Sequence, residues 1–244
     1  MEYLYEKNGN SYEDFASGRV LYNARGTTSF PVRLASEIIQ RCFRLLEIKG
    51  NKGPYSLYDP CCGGAYMLTV VGLMHGHRIN HVYASDVNSG VLQVAERNLS
   101  LLSPSGLDQR KEQLIQLTAL FQKKSHKEAL VSLERLHGLA ARLNIEGTFV
   151  SQGDITSPEK SSEPHSKVSI VMTDLPYGDI VNWRTDSTDP VSDLFDQILK
   201  RLKPDHSVVA IIADKGQKLK HKRFKRLQYF KIGKRQVGIF EPIC

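Results

Sequence analysis

An aspartate closes each of three strand-length apolar runs in this chain: Asp59 after Tyr55-Ser56-Leu57-Tyr58, Asp86 after His81-Val82-Tyr83-Ala84-Ser85, and Asp174 after the run from Val168 to Met172 and Thr173. Helical patterns lie between these runs. Tyr66 to Met74 is an apolar helix entered through the tight turn Cys61-Cys62-Gly63-Gly64, and Val91, Leu92, Val94, Ala95 and Leu99 recur at helical spacing after the second run. Strand, helix, strand, helix with an acid at each strand end predicts an α/β fold on a mostly parallel central sheet.

The flanking segments fit the same plan. Pro31 followed by Leu34, Ile38, Ile39, Cys42, Phe43, Leu45 and Leu46 predicts a leading helix that Gly50, Gly53 and Pro54 stop. Residues 1–30 read as an irregular or short-helical arm. Residues 104–145 carry two Leu-rich, charged helical stretches, about Leu107 to Gln122 and His126 to Leu143, and read as a helical hairpin inserted into the alternation. The pattern then resumes with a strand at Thr148-Phe149-Val150, a helix at Val191 to Leu202 and a strand at Val208 to Ala213. An antiparallel pair at Leu227 to Ile232 and Gln236 to Phe240 ends the chain. One domain spanning residues 1–244 accommodates all of this.

In open parallel sheets, ligands collect beyond the carboxyl ends of the strands. Asp59, Asp86, Asp174 and, after the Phe149-Val150 strand, Asp154 all fall there. A single such acid is often a turn former or helix cap, but several on successive strand ends outline a cofactor cleft. The turn at Gly63-Gly64-Ala65 is not G-x-G-x-x-G, and no G-x-x-x-x-G-K-[ST] occurs, so a pyrophosphate cradle is poorly supported. The glycines still admit close backbone approach, and Asp86 is placed to accept ribose hydroxyls. A nucleoside cofactor without pyrophosphate, S-adenosylmethionine first among them, suits that set. Asp174-Leu175-Pro176-Tyr177 adds a carboxylate able to orient an N–H or take its proton, a proline that fixes the backbone and a ring on which an extruded base can stack.

The stretches Asp59-Pro60-Cys61-Cys62-Gly63, Ala84-Ser85-Asp86-Val87 and Thr173-Asp174-Leu175-Pro176-Tyr177-Gly178 resemble a Rossmann-like class I S-adenosylmethionine-dependent methyltransferase. Together with Phe30 to Glu37, Leu101-Leu102-Ser103-Pro104 and Lys231-Ile232-Gly233, they are similar to the avilamycin-resistance, AviRa-type rRNA methyltransferase family from about Tyr22 onward. That resemblance implies methylation of a guanine base of 23S rRNA, expected at N1, in the free rRNA or a large ribosomal subunit precursor. It implies cofactor contacts from Asp59, Gly63 and Asp86; Cys61, Gly64, Val87, Asp154 and Asp174 complete the expected cofactor set. It also implies that Asp174, Pro176 and Tyr177 face the methyl group and the target base. Where the family loop commonly continues Gly-Ser-Gly, this chain has Gly63-Gly64-Ala65.

Charge bears on the partner. There are 33 Lys and Arg against 26 Asp and Glu, a formal charge of +7, and the excess is concentrated after Asp214. The expected RNA-binding residues are Lys215, Lys218, Lys220, Lys222, Arg223, Lys234 and Arg235, with Arg33, Arg19 and Arg25 adding from the arm. Asp214 is a weaker candidate base than Asp174, and a thiol nucleophile at Cys61 or Cys62 is disfavoured by their place in the cofactor turn.

Other classes are excluded or set aside. The apolar runs are too short to span a bilayer, and Met1 to Asn10 lacks the order of a secretory or transit signal. Four cysteines, two of them adjacent, form neither a disulfide framework nor a zinc spacing, which points to a cytoplasmic protein. His75, His77 and His81 read as exposed loop histidines and no metal site is expected; a monomer is. Two rivals stay open: an amino-methyltransferase acting on guanine N2, adenine N6 or cytosine N4 of RNA or DNA, and a non-catalytic RNA-binding protein on the same fold.

Overall fold

In the computed structural model, residues 3–7, 10–24, 29–157, 167–176, 183 and 185–243 are described. Tyr177, Gly178 and Arg25, singled out above, lie outside them. The arm contains a short 3-10 turn at Glu13–Phe15. Then follow α1 (Val32–Ile48), β1 (Tyr55–Asp59), α2 (Tyr66–His75), β2 (Ile79–Asp86), α3 (Ser89–Ser100), α4 (Pro104–Phe121), α5 (Lys124–Ala140), β3 (Gly147–Gln152), β4 (Ile170–Asp174), α6 (Pro190–Arg201), β5 (Val208–Asp214), β6 (Phe224–Ile232) and β7 (Arg235–Pro242). The seven strands form one sheet in the order β3-β2-β1-β4-β5-β7-β6. The first five run parallel, and β7 pairs antiparallel with both β5 and β6.

Local chemistry explains the boundaries. Asn88, Ser103 and Asp189 cap α3, α4 and α6 by accepting amide bonds from Gly90, Gly106 and Ser192, each cap contributing about 1 kcal/mol. Prolines 104 and 190 sit at the first turns of α4 and α6, where a missing N–H costs nothing. β1 is buried along its whole length, as expected for a central strand covered on both faces. The predicted strand from Val168 begins two residues later, at Ile170, because Val168 makes only an isolated bridge to Leu202.

The core has two parts. The larger is formed by α1, α2, α3 and one sheet face, and it takes in Leu107, Leu114, Leu133 and Leu136 of the inserted hairpin. The smaller gathers Tyr58, Tyr83, Leu194, Phe195, Ile198 and Phe240 on the other face, with Trp183 packed partly buried against it. Each fully buried Leu, Ile or Phe contributes roughly 2 kcal/mol from removal of apolar surface. The arm is part of the body: Phe15, Val20 and Leu21 are buried, and Tyr66 donates its hydroxyl to the Phe15 carbonyl at 2.6 Å.

One expectation is corrected here. His75 is not an exposed loop residue: it ends α2, its Nε2 lies 2.7 Å from Ser36 Oγ, and burial lowers its pKa to about 4. His81 lies within β2, its ring parallel to those of Tyr83 and Phe149. Among the described residues no group of three or more His, Cys, Asp or Glu is arranged to hold a metal ion.

Candidate active site

β2, β1 and β4 are neighbours in the sheet, so parallel pairing delivers Asp86, Asp59 and Asp174 to one edge of the molecule. Asp59 is 2% exposed and accepts the Cys61 amide at 3.0 Å. Burial pushes its pKa up to about 7, and the carboxylates of Asp86 and Asp174 push the same way.

The turn after β1 is held from β2. Asp86 accepts the Gly63 amide at 2.8 Å through one carboxylate oxygen and the Asn88 amide at 2.9 Å through the other. The Cys62 amide donates to the Ser85 carbonyl at 3.0 Å. Gly63 has φ +51, which a residue with a side chain adopts only at a cost, and a Cβ built there meets no atom within 4 Å. At Gly63 the turn therefore presents bare backbone to open space. Ala65, the departure from the family's loop, also has a left-handed φ of 54 at the N-cap of α2, a conformation that a residue with a side chain holds at a cost. Val87 is 38% exposed beside it, a free apolar surface next to the acid.

Asp154 is placed differently from the other acids. Its carboxylate accepts both the backbone N–H and the hydroxyl of Thr156, at 2.9 and 2.6 Å. The preceding Gly153 amide donates to the Asp86 carbonyl at 3.1 Å, so the segment borders the cleft even though the Asp154 side chain shapes its own turn.

Opposite the glycine turn, the Leu175 amide donates to the Ile212 carbonyl at 2.9 Å, and the Pro176 carbonyl accepts Gln217 Nε2 at 3.2 Å. Gln217 Oε1 in turn accepts the Asp214 amide, while Gln236 donates to the carbonyls of Asp214 and Gln217. These two glutamines brace the loop after β4, and sequence reasoning missed both. A polar residue at the head of the apolar run Gln236-Val237-Gly238-Ile239 was the available signal. Asp214 is occupied in its own turn, accepting the Gly216 amide at 2.8 Å. Cys61 and Cys62 are free thiols whose pKa values burial raises well above the usual range, so neither is an activated nucleophile.

The basic run does not stay together. Lys215 and Lys218 follow β5 at the carboxyl edge, and the Lys215 amide donates to the Lys234 carbonyl at 3.3 Å, bringing the β6–β7 turn alongside. The chain then crosses the sheet: β6 starts at Phe224 opposite Pro242, at the far end. β6 has nine residues, so its ends lie about 27 Å apart at the usual strand rise. Lys222 and Arg223 therefore fall at the amino edge, where Arg223 pairs with Asp196 at 3.9 Å. Lys220 is exposed on the crossing segment between the two edges.

Two further cations expected to meet RNA have partners within the chain. The Arg33 guanidinium, in the first turn of α1, donates to the carbonyls of Glu6 and Lys7 and stacks on Tyr3, which ties the arm to that helix. Arg19 faces Glu13 and Glu128 at 3.6 Å. Arg235 stands over the Phe30 ring at 5.6 Å.

A cavity of about 690 Å3 bordered by Lys52, Pro54, His77, Arg78 and Asn144 lies at the amino ends of β1 and β2, away from the converging acids.

The family pattern described as rRNA methyltransferase AviRa matches residues 1–235. The chain belongs to the AviRa rRNA methyltransferase family. It is 39% identical over 229 residues, 91% of this chain and 88% of the relative, to a 23S rRNA (guanine(2535)-N(1))-methyltransferase of Streptomyces viridochromogenes. A solved structure of rRNA methyltransferase AviRa from that organism superposes with a TM-score of 0.86 at 34% identity, covering 98% of this chain and 96% of the other. TrmN from Thermus thermophilus shares the fold alone, with a TM-score of 0.51 at 17% identity over 88% of this chain and 50% of that one. Membership of the AviRa family makes this chain a methyltransferase, and the family and fold imply use of S-adenosylmethionine. No helix among the described residues is long and apolar enough to cross a membrane.

Proposed function

We propose that this enzyme transfers a methyl group from S-adenosylmethionine to N1 of a guanine in 23S rRNA. The observation that carries the reading is the meeting, at one sheet edge, of a glycine turn anchored by Asp86 and a braced loop headed by Asp174. The residues fit the cofactor. Gly63 offers backbone without a side chain, Asp86 stands at a strand end where ribose hydroxyls find an acceptor, Val87 offers apolar surface, and Asp59 and Cys61 close the floor of the turn. Gly64 and Asp154 border the same cleft. When bound, the cofactor supplies an electrophilic methyl group on a sulfonium.

The chain's part is to prepare the nucleophile. Guanine N1 carries a proton at neutral pH, so attack requires that the proton be accepted as the N–C bond forms. Asp174 accepts it. Pro176 and the glutamine brace hold the loop so that the carboxylate stays aimed, and Tyr177 stacks on the extruded base. Lys215, Lys218 and Lys234 at the same edge neutralise the RNA backbone, with Arg235 beside them and Lys220 on the segment that leads away from it. Such contacts position the substrate and carry no sequence information. The rRNA substrate implies action in the cytoplasm, on free 23S rRNA or a large-subunit precursor, and a monomer suffices for it.

The test is transfer of labelled methyl from S-adenosylmethionine to 23S rRNA, with tRNA, duplex DNA and the Asp174→Ala variant in parallel. Label confined to 23S rRNA and lost in the variant is the expected result. Label in DNA or tRNA alone, or full turnover by the variant, overturns the reading.

A further inference from the structure

Asn98 lies in the last turn of α3 and is fully buried. A buried primary amide is costly unless its donors and acceptor are used, and here they are. Its Oδ1 accepts the Tyr22 amide at 2.8 Å. Its Nδ2 donates to the Tyr22 carbonyl at 3.0 Å and to the Gly64 carbonyl at 2.7 Å. One side chain thus joins the N-terminal arm to the turn after β1.

The turn needs such a hold. Two consecutive glycines have little conformational preference of their own, so Gly63-Gly64 keeps one shape only if its ends are fixed from outside. Asp86 fixes one end through the Gly63 amide, and Asn98 fixes the other through the Gly64 carbonyl. Arm and turn are also in direct contact: a Cβ on Gly64 would meet Ala24 Cβ at 3.0 Å and Val94 Cγ1 at 3.3 Å.

The arm stretch is itself anchored on its other side. The guanidinium groups of Arg97 and Arg110 both stand over the Tyr22 ring, at 4.1 and 4.3 Å, and its hydroxyl donates to Gln113 at 2.7 Å. Arg110 also donates to the carbonyls of Val20 and Arg19, at 2.9 and 3.2 Å.

We infer that Asn98 is a positioning residue for the cofactor, locking the Gly63-Gly64 turn to the docked N-terminal arm so that cofactor binding and arm docking are coupled. The inference rests on reading that turn as the S-adenosylmethionine site. Coupling is reciprocal: if a docked arm favours the cofactor, the cofactor favours the docked arm.

Two readouts test this, with S-adenosylhomocysteine as a non-reacting probe. In calorimetric titration of the full chain, Asn98→Ala and Asn98→Asp are expected to raise Kd tenfold or more. The aspartate is the sharper variant, because it keeps the acceptor for the Tyr22 amide and turns an oxygen toward two carbonyls. In hydrogen exchange, the probe is expected to slow exchange at the Tyr22 amide of the wild-type protein. An asparagine that only stabilises the fold predicts a lower Tm, a Kd within twofold of wild type and an arm indifferent to the probe; that outcome overturns the inference. Should either variant not fold, the wild-type exchange comparison decides alone. A wild-type protein that fails to bind the probe overturns the cofactor reading and the inference together, whereas binding unaffected by Asn98 overturns the inference only.

Discussion

The carboxylate of Asp86, at the end of one central strand, accepts the amide of Gly63 in the turn after its neighbour, at 2.8 Å. Through its second oxygen it also accepts the Asn88 amide at 2.9 Å, at the start of α3. One side chain thereby fixes the glycine turn and the next helix against each other. Asp86→Ala leaves both amides without their partner, a cost of about 1–3 kcal/mol each where they stay shielded from water. We predict a folded protein of lowered Tm whose Kd for S-adenosylmethionine rises at least tenfold by calorimetry. An unchanged Kd removes Asp86 from the cofactor site.

Asp174 is assigned to the proton on guanine N1, so its loss acts on the chemical step. Asp174→Ala should hold S-adenosylmethionine with a Kd within a few-fold of wild type and lose about 10²–10⁴-fold in single-turnover rate. Rapid-quench measurement at saturating cofactor and RNA checks this. Equal losses in binding and turnover point instead to a role in shaping the cofactor cleft.

Asp59 and His75 give the cofactor-free protein two opposed pH dependences. Burial raises the Asp59 pKa from 3.8 to about 7, so the native state holds a proton that the unfolded chain has released. Its stabilising contribution is present below the unfolded pKa and is lost as pH rises through the folded one. Burial lowers the His75 pKa from 6.5 to about 4. There the unfolded chain binds more protons between those values, and stability rises with pH. Urea denaturation of the wild-type protein from pH 4 to 7 should therefore show a shallow net slope. In Asp59→Asn the slope should turn positive up to about pH 6.5, by an amount on the order of 1 kcal/mol or more. The same slope in both proteins contradicts the assignment to Asp59.

The position of each cation along the sheet decides its effect on RNA. Lys215→Ala, Lys218→Ala or Lys234→Ala should each weaken rRNA binding and reduce the salt slope by about 1, the loss expected for one phosphate contact. Lys222→Ala and Arg223→Ala, at the opposite edge, should leave both unchanged. Binding isotherms over a range of salt concentrations separate the two groups, and equal losses from both overturn the edge assignment.

The contrast between those groups marks the limit of what could be read from sequence. The strand-ending acids and the strand–helix alternation were legible because each is a local pattern, and parallel topology carries strand ends to one edge without further information. The split of the basic run was not, since adjacent cations stay together only until the chain turns back, and it recrosses the sheet between Lys218 and Phe224. The contacts of Arg33 were illegible for a related reason: its partners, the carbonyls of Glu6 and Lys7, are backbone atoms that no residue type announces. Asn98 gave no signal either, because a polar residue in an amphipathic helix looks solvated until the arm that covers it is in place. His75 is the same case, buried by Ser36 and Phe43 from α1. The glutamines that brace the loop at Pro176 were half-legible, with Gln236 alone heading an apolar run.

The most direct test of the central claim is identification of the methylated nucleoside. After incubation of the enzyme with 23S rRNA and labelled S-adenosylmethionine, the RNA is digested completely and its nucleosides are separated and identified by mass. The proposed reaction gives 1-methylguanosine as the labelled product, absent when Asp174→Ala replaces the wild-type enzyme. Label in N2-methylguanosine, N6-methyladenosine or N4-methylcytidine contradicts the assignment of Asp174 to the N1 proton, and no label in any nucleoside contradicts the enzyme itself.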